Sequence, residues 1–263
     1  MKTMIFAAGM GTRLKPITDT LPKALVPVRG MPLIEHVCRK LMIAGISEVV
    51  VNVHHFADKI EQWICDQDWI AAGDAQCHDG QLYVQVSDER AALLETGGAI
   101  FHARAYLQGC GSFLVHNVDI LSNLDISWFF SSCRPDALAT LLVSERETSR
   151  YLLFEPDTMR LVGWTNIKTG EVRSPYHDLV VSECRALAFS GIHVISDKVF
   201  DAMDMYVASK KLDEGGVSPR FSIIDFYLSM IGVHDVYGVV ADDLKLIDVG
   251  KLETLAEAQT INL

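Results

Sequence analysis

Hydrophobic and polar residues alternate along the first half of the chain in blocks that predict strands and helices in turn. A short apolar run at residues 2–7 ends in Ala8-Gly9-Met10-Gly11, which is typical of a buried strand followed by a tight turn. This run is shorter than the core of a secretory signal peptide, so we interpret it as part of the fold. Pro32 is placed to start a helix and Gly45 to end it. Further strands are predicted at 49–53, 82–86 and 112–115, and helices at 55–69 and 97–107.

The segment between the first strand and the first helix, residues 14–30, contains Pro16, Pro22 and Pro27. Because proline lacks the amide proton that a helix interior needs, we predict an extended loop here. The strand–helix alternation around this loop is typical of an α/β fold with a doubly wound, mostly parallel sheet. In such sheets, ligands bind beyond the carboxyl ends of the strands.

From about residue 145 the pattern changes to short apolar segments separated by polar turns. We predict an inserted antiparallel region or lid, with strands at 151–154, 161–164 and 186–189 and a polar, irregular stretch at 165–185. A helix at 221–231, strands at 236–240 and 244–249, and a last helix at 251–259 follow. We expect a single domain over residues 1–263, with halves at 1–145 and 146–263.

Charge is distributed unevenly along the 263 residues. The formal net charge is −11, which argues against a nucleic-acid-binding protein. Residues 1–40 hold seven lysines and arginines against two acids, a net +5, which leaves −16 for the rest of the chain. A cationic first segment in an acidic protein is suited to hold a polyanion, although chance clustering on a solvated face accounts for the pattern equally well.

Two further features concern the cellular compartment. No apolar run approaches the roughly 20 residues that span a bilayer. The six cysteines are scattered and form no Cys-x-x-Cys pair, which is typical of reduced, cytosolic thiols. We therefore expect a cytoplasmic protein that interacts with neither membrane nor nucleic acid, and the sequence leaves its oligomeric state open.

The most informative local motif is the turn Gly9-Met10-Gly11-Thr12-Arg13. Small residues let the backbone approach a phosphate, and successive amide groups cradle it. A Gly-x-Gly after a strand is a weak signal by itself, since Leu14 replaces the third glycine of a dinucleotide-binding motif and no Gly-Lys-Ser/Thr follows. Arg13 in the same turn and Lys23 in a proline-stiffened segment strengthen it, and together they predict a phosphate site.

These runs resemble the sugar-1-phosphate nucleotidylyltransferase family, which makes nucleotide sugars. The resemblance continues, in the expected order, through Glu95-Thr96-Gly97-Gly98, Asn117-Val118-Asp119, Phe189-Ser190-Gly191-Ile192 and Asp248-Val249-Gly250. It is closest to the N-acetylmuramate-1-phosphate uridylyltransferase branch, with mannose-1-phosphate guanylyltransferases next. It implies a Rossmann-like nucleotidyltransferase fold, in which residues 1–145 bind the nucleotide and residues 146–263 bind the sugar and complete a metal site.

The resemblance also implies a reaction, in which the phosphate of a sugar 1-phosphate attacks the α-phosphorus of a nucleoside triphosphate, UTP in the closest branch. Cations and oriented amides offset the charge of two polyanions, and no covalent enzyme intermediate is needed. Arg13 is then expected to contact the β- and γ-phosphates, and Lys23 the α-phosphate and the attacking phosphate. The residues expected to cradle the triphosphate are Ala8, Gly9, Gly11 and Thr12.

The remaining site residues follow from the same resemblance. Asp119 and Asp248, each placed after a strand, are expected to bind Mg²⁺ together with substrate phosphates; an isolated aspartate there is otherwise a turn cap. Glu95, Thr96, Gly97, Gly98 and Asn117 are expected to bind the nucleotide, with the alternative that Glu95 caps a helix. Ser190 and Gly191 are expected to line the sugar pocket, with the alternative of a turn between strands.

The sequence departs from the family pattern at Val118, where the family usually has glycine, and over 155–185, which is longer than in the muramate branch. Four activities remain open: UDP-sugar formation, GDP-mannose formation, cytidylyl transfer to a phosphorylated small alcohol such as phosphocholine, and a non-catalytic regulatory subunit that binds a nucleotide sugar. Val118 favours the last of these, whereas the retention of Arg13, Lys23, Asp119 and Asp248 favours an enzyme.

Overall fold

The computed structural model describes residues 1–73, 80–212 and 218–261. Its helices are α1 Leu33–Ile43, α2 Ala57–Cys65, α3 Glu95–His102, α4 Arg104–Leu107, α5 Ile126–Ser131, α6 Val199–Lys210, α7 Ile223–Met230 and α8 Leu252–Ala258. Its strands are β1 Lys2–Phe6, β2 Pro27–Val28, β3 Met31–Pro32, β4 Glu48–Val53, β5 Ile70–Ala72, β6 Leu82–Asp88, β7 Ser112–Asn117, β8 Ile120–Ser122, β9 Ala139–Ser144, β10 Arg150–Phe154, β11 Leu161–Asn166, β12 Glu171–Arg173, β13 Arg185–Ser196, β14 Val236–Val240 and β15 Leu246–Asp248.

One large sheet organises the fold. Its strand order is β12-β11-β10-β13-β7-β1-β4-β6-β5, and β9 pairs with both β13 and β14. The five strands β7-β1-β4-β6-β5 run parallel. The predicted α/β class with a doubly wound, mostly parallel central sheet is confirmed.

Helices cover both faces of this sheet, because successive side chains of a strand point to opposite faces. Ile5 and Leu114 belong to one buried core, which also includes apolar residues of α1, α2 and α8. Their neighbours Met4 and Phe113 belong to a second core with residues of α3, α6 and α7. The central strands are therefore buried on both sides, as their continuous apolar runs require.

The antiparallel region is an extension of the main sheet and not a separate lid. Strand β13 pairs antiparallel with the central strand β7 and also with β10, and β10, β11 and β12 continue outwards from it. The stretch predicted to be irregular, 165–185, contains the end of β11 and all of β12. The predicted strand 186–189 is one end of the twelve-residue β13.

Other predicted boundaries also change. The predicted helix 97–107 begins at Glu95 and is divided into α3 and α4 at Ala103. The predicted helix 55–69 is shorter, Ala57–Cys65, and the residues after it form a turn that leads into β5. The proline-rich segment has no α-helix; it begins at the end of the 3-10 turn Thr12–Leu14 and includes two more such turns, Ile17–Asp19 and Lys23–Leu25.

Five of the six cysteines lie in the described residues, and all five are free thiols; Cys77 lies outside them. None of the helices in the described ranges is long and apolar enough to cross a membrane.

Candidate active site

The glycine-rich turn follows β1 at the carboxyl end of the parallel strands, where α/β folds bind ligands. Asn52, the fifth residue of β4, fixes the start of this turn through hydrogen bonds. The Asn52 side-chain oxygen accepts hydrogen bonds from the amides of Ala7, at 2.7 Å, and Ala8, at 3.3 Å. Its amide nitrogen donates to Glu89 at 2.8 Å. Asn52 and Glu89 are 3% and 2% exposed, so this network is buried beneath the turn.

The turn itself requires glycine at position 11. Gly11 has φ +62°, and a Cβ there would lie 2.8 Å from the Thr18 methyl group and 3.1 Å from the Lys23 Cβ. Its carbonyl oxygen accepts hydrogen bonds from the Thr18 hydroxyl and the Leu14 amide, both at 2.8 Å. The glycine therefore lets the turn pack directly against the segment that carries Lys23.

Lys23 is buried, with 9% of its surface exposed, and its ammonium group donates to the carboxylate of Asp119. The two residues are 96 positions apart in sequence. Pro22 and the 3-10 turn Lys23–Leu25 fix the lysine, and the end of β7 fixes the aspartate. The structure thus brings the predicted phosphate-binding lysine to a predicted metal ligand.

The two predicted metal ligands are brought together by the small antiparallel pair β8 and β15. Asp248 lies opposite Ile120 in this pair, and the Val249 amide donates to the Asp119 carbonyl at 2.8 Å. Burial raises the pKa of Asp248, and the negative charge of Asp119 raises it further, whereas Lys23, Arg13 and Arg146 oppose that shift. The two carboxylates are therefore close enough to repel each other.

Arg13 also lies near Asp248, beside Gly250. A Cβ at buried Gly250 would lie 2.7 Å from both the Arg13 Nη2 atom and the Asp248 Oδ1 atom. Asp248 Oδ1 is buried and has no hydrogen-bond partner among the described residues. Two cationic side chains, Arg13 and Lys23, and two carboxylates, Asp119 and Asp248, therefore form one cluster beside the glycine-rich turn.

A cavity of about 260 Å³ opens next to this cluster; we call it the N-terminal cavity. The predicted residues that line it are Ala8, Gly9, Lys23, Glu95, Thr96, Asn117 and Asp119, together with Asn52, Glu89 and Val118. A larger cavity of about 600 Å³, lined in part by Arg29, Lys40 and Asp125, contains none of the predicted site residues. Of these two cavities, the N-terminal cavity is therefore the candidate substrate-binding site.

Gly97 and Gly98, which are expected to bind the nucleotide, contact another segment of the protein in this structure. Their amides donate to the Phe221 carbonyl at 2.9 and 3.1 Å. A Cβ at Gly97 would lie 2.4 Å from the Phe221 ring, and one at Gly98 would lie 2.3 Å from the Pro219 carbonyl oxygen. These glycines allow α3 to pack against the segment before α7, and neither lines the N-terminal cavity.

Glu95 and Thr96, which precede these glycines, do line the N-terminal cavity. They are also tied to the segment before α7. Glu95 pairs with Arg220 at 3.0 Å, and the Thr96 hydroxyl accepts a hydrogen bond from the Ile223 amide at 2.9 Å. Glu95 has φ +61°, so it does not serve as an ordinary helix cap.

Ser190 and Gly191 lie inside β13 and do not form a turn between strands. Ser190 is fully buried, and its hydroxyl donates to Ser144 at 3.4 Å. Gly191 has φ +75°, and a Cβ there would lie 2.8 Å from the Asn117 side-chain nitrogen. It lies within an irregularity in the pairing of β13 with β9. Another cavity, of about 540 Å³, lies between the antiparallel strands and the start of α7. The neighbouring Phe189 lines it, whereas Ser190 does not.

Val118, the departure from the family pattern, is 3% exposed and packs in the core. Its backbone is not among the positive-φ positions, so a β-branched residue is accommodated there. Thr12 is exposed at the start of the turn Thr12–Leu14. It lines neither the N-terminal cavity nor the 540 Å³ cavity beside Phe189.

Sequence reasoning missed three residues of this site: Asn52, Glu89 and Arg146. Asn52 interrupts an otherwise apolar strand, and Glu89 follows the next strand of the sheet, so a polar residue in a buried run was the available signal. Arg146, which acts electrostatically on Asp248, stands in a charged stretch that gave no such signal.

Residues 2–171 match the family model described as Nucleotidyl transferase. This match spans more than half of the chain, and the chain belongs to the nucleotidyl transferase family. The predicted resemblance to sugar-1-phosphate nucleotidylyltransferases is confirmed at that level, as is the enzyme class, nucleotidyltransferase.

Individual relatives agree with the family match. An N-acetylmuramate alpha-1-phosphate uridylyltransferase from Caulobacter vibrioides is 35% identical over 201 residues, 74% of this chain and 75% of that protein. A protein of the same name from Neisseria meningitidis is 33% identical over 205 residues, 78% of this chain and 79% of that one. The solved structure of HddC from Yersinia pseudotuberculosis, complexed with GMP-PN, has a TM-score of 0.68 at 21% identity and covers 98% of this chain and 97% of its own. This last likeness concerns the fold alone.

Proposed function

We propose that this protein transfers a uridylyl group from UTP to N-acetylmuramate 1-phosphate, giving UDP-N-acetylmuramate and pyrophosphate. The observation that carries the proposal is the cluster of Arg13, Lys23, Asp119 and Asp248 beside a glycine-rich turn. The choice of base and sugar is supported by two relatives with this activity in their names, at 35% and 33% identity.

In this reaction an oxygen of the sugar phosphate forms a bond to the α-phosphorus, and the bond from that phosphorus to the bridging oxygen of pyrophosphate breaks. No proton has to be transferred. The protein has to align two polyanions and offset their charge, so positioning and electrostatic stabilisation supply the rate. Arg13 would bind the β- and γ-phosphates, and Lys23 would bind the α-phosphate by exchanging its contact with Asp119 for one with substrate.

The N-terminal cavity would receive the nucleoside. Glu95, Thr96 and Asn117 line it, and so does the hydrogen-bonded pair of Asn52 and Glu89. Because this pair is buried and hydrogen-bonded to the glycine-rich turn, it would fix the turn relative to the base. Buried polar networks of this kind are rigid only while every member has its partner.

The residues present fit a magnesium ion. Asp248 Oδ1 is buried without a hydrogen-bond partner among the described residues, and Asp119 adds a second negative charge. The described part of the chain has no group of three or more metal-ligating side chains, and two carboxylates with substrate phosphates are the usual arrangement for Mg²⁺. We propose that Asp119 and Asp248 hold Mg²⁺, which when bound would offset phosphate charge.

A non-catalytic regulatory subunit is the less well supported alternative. The sequence feature that favours a regulatory subunit is Val118 in place of the family's usual glycine. In the structure Val118 packs in the core and its backbone is not left-handed, so the position does not require glycine. A protein that only binds a nucleotide sugar has no need for two cations and two carboxylates in one cluster.

The proposal is tested by pyrophosphate release over a matrix of four nucleoside triphosphates and several acceptors: the 1-phosphates of N-acetylmuramate, N-acetylglucosamine and mannose, and phosphocholine. We expect the highest kcat/KM for UTP with N-acetylmuramate 1-phosphate, loss of turnover with EDTA and recovery with excess Mg²⁺. Preferred turnover of GTP with mannose 1-phosphate, or of CTP with phosphocholine, would replace the proposed substrates. If the protein turns over no pair of substrates but binds a UDP-sugar measurably, the proposed enzymatic activity is wrong.

A further inference from the structure

A second cavity, of about 540 Å³, lies between the antiparallel strands and the start of α7. Three arginines line it, Arg146, Arg150 and Arg173, and we call it the arginine cavity. Its apolar wall includes Leu152, Trp164 and Phe189. A concave site with an apolar and aromatic wall and a few charged groups is typical of a small-molecule pocket.

The arginine cavity adjoins the N-terminal cavity at two points. Phe189 directly precedes Ser190 and Gly191, and Gly191 contacts Asn117. Ser222 and Ile224 also line the cavity, and Ile223 between them donates its amide to Thr96. Arg146 donates a hydrogen bond to the carbonyl of Phe189 at 3.0 Å, so its guanidinium group lies at this junction. The arginine cavity therefore continues from the N-terminal cavity towards the antiparallel strands.

The three arginines differ in their partners. Arg173 forms an ion pair with Asp225 at 2.8 Å, so its charge is offset within the wall. Arg146 donates to the Phe189 carbonyl at 3.0 Å and has no carboxylate partner among the described residues. The Arg150 guanidinium has no hydrogen-bond or ion-pair partner in the described ranges.

The wall has a small excess of positive charge, because the three arginines face only two acids, Asp225 and Glu171. Arg150 begins β10, opposite Asn166 of β11, whereas Arg146 is hydrogen-bonded to the Phe189 carbonyl of β13. Two guanidinium groups without carboxylate partners among the described residues thus lie on different strands or loops of the cavity wall.

We propose that the arginine cavity binds the sugar 1-phosphate, that Arg146 contacts its phosphate, and that Arg150 selects a sugar with a carboxylate substituent. This inference rests on the proposed function and deepens it. N-acetylmuramate differs from N-acetylglucosamine by a lactyl ether, which ends in a carboxylate. A planar guanidinium matches a carboxylate in geometry and makes a charge-assisted hydrogen bond that a neutral sugar lacks.

The experiment compares kcat/KM for N-acetylmuramate 1-phosphate and N-acetylglucosamine 1-phosphate in the wild type and three variants. In Arg150→Gln we expect kcat/KM for the acidic sugar to fall at least tenfold and that for the neutral sugar to change less than twofold. In Arg146→Gln we expect both values to fall by similar factors, because both sugars carry the phosphate. Lys168→Gln is the matched control, since it removes a cation from the turn between β11 and β12 that does not line the cavity.

A chemically modified substrate makes the test independent of how well a variant folds. The methyl ester of the lactyl group removes the carboxylate charge and keeps its bulk. The wild type is expected to use the ester at least tenfold less efficiently than the acid, whereas Arg150→Gln is expected to use both alike. This convergence would not follow from a general loss of structure.

The possible outcomes separate the inference from the function on which it rests. If the wild type prefers the acidic sugar and Arg150→Gln keeps that preference, the role of Arg150 is wrong and the proposed function stands. If the wild type prefers the neutral sugar, both the proposed acceptor and the carboxylate site are wrong. If the wild type turns over no sugar 1-phosphate, the proposed function itself is overturned.

Discussion

Asn52 joins Glu89 to the glycine-rich turn: its side chain donates to the Glu89 carboxylate at 2.8 Å and accepts from the Ala7 amide at 2.7 Å. The three residues belong to separate segments of the chain, and their polar groups are all buried. In this position a single amide side chain determines where the turn after β1 lies relative to the loop after β6.

Asn52→Leu is expected to lower both stability and nucleotide affinity. Leucine has a similar size but leaves the Ala7 amide and the Glu89 Oε1 atom without a partner, and a buried group without a partner costs about 1–3 kcal/mol. For a chain of this size that corresponds to a fall in Tm of roughly 2–4 °C per kcal/mol. Calorimetry and the KM for UTP measure the two effects. Gln62→Leu, on the exposed face of α2, is the control, and a variant with the wild-type Tm and KM would contradict this account.

Glu89→Gln is expected to change the pH dependence of stability. Burial raises the pKa of Glu89 above its ordinary value of 4.5, and the hydrogen bonds from Asn52 and Leu94 only partly oppose that shift. The native state therefore favours the protonated carboxyl group, and its stabilising effect is lost as pH rises from 4.5 through the raised pKa. A glutamine keeps the Asn52 hydrogen bond and cannot ionise.

The measurement is urea unfolding of the wild type and Glu89→Gln between pH 4 and pH 8. The variant is expected to gain stability relative to the wild type as pH rises, with most of the gain above pH 4.5. Glu253→Gln at an exposed position provides the comparison. A difference between wild type and Glu89→Gln that stays constant with pH would contradict the assignment.

Gly250→Ala is expected to impair catalysis more than folding. The added methyl group would lie 2.7 Å from both Arg13 Nη2 and Asp248 Oδ1, so the arginine or the carboxylate has to move. Because small displacements of positioning groups have large effects on rate, we expect kcat to fall at least tenfold. Gly232→Ala is the matched control, since its nearest neighbour would be at 3.9 Å.

Activity is compared with the near-ultraviolet circular dichroism of both glycine variants. A Gly250→Ala protein that keeps the native spectrum and full activity would contradict the expectation that the reaction depends on this placement of Arg13 and Asp248. If Gly250→Ala loses the native spectrum, Arg13→Gln tests the same contact without adding bulk, and the same fall in kcat is expected.

Much of the fold could be predicted because its signals are local. The apolar runs of β1, β4 and β7 are continuous, as strands buried on both faces must be, and glycine and proline delimit α1. Helix α6 gave no comparable pattern, because apolar residues occupy much of its circumference: Val199, Phe200, Ala202, Met203, Tyr206 and Val207 are all buried. Periodicity is informative only when one face of a helix stays polar.

The site could be predicted to the extent that its residues stand in short motifs. Arg13, Lys23, Asp119 and Asp248 were all named from such runs, and the structure brings them together. Asn52 and Glu89 stand 37 positions apart, and their relationship exists only once β4 and β6 pair. The family resemblance implies a nucleotide-binding role for Gly97 and Gly98, whereas in the fold the two glycines approach the segment at Pro219 and Phe221.

The central claim is that Asp119, paired with Lys23 and adjacent to Asp248, belongs to the reaction centre. The most direct test is the rate of pyrophosphate release by Asp119→Asn with UTP and N-acetylmuramate 1-phosphate over a range of Mg²⁺ concentrations. Asp157→Asn, in the exposed turn after β10, is the control. We predict a loss of at least a hundredfold for Asp119→Asn with the Tm preserved and no recovery at high Mg²⁺. A folded Asp119→Asn enzyme with nearly wild-type turnover would contradict the account.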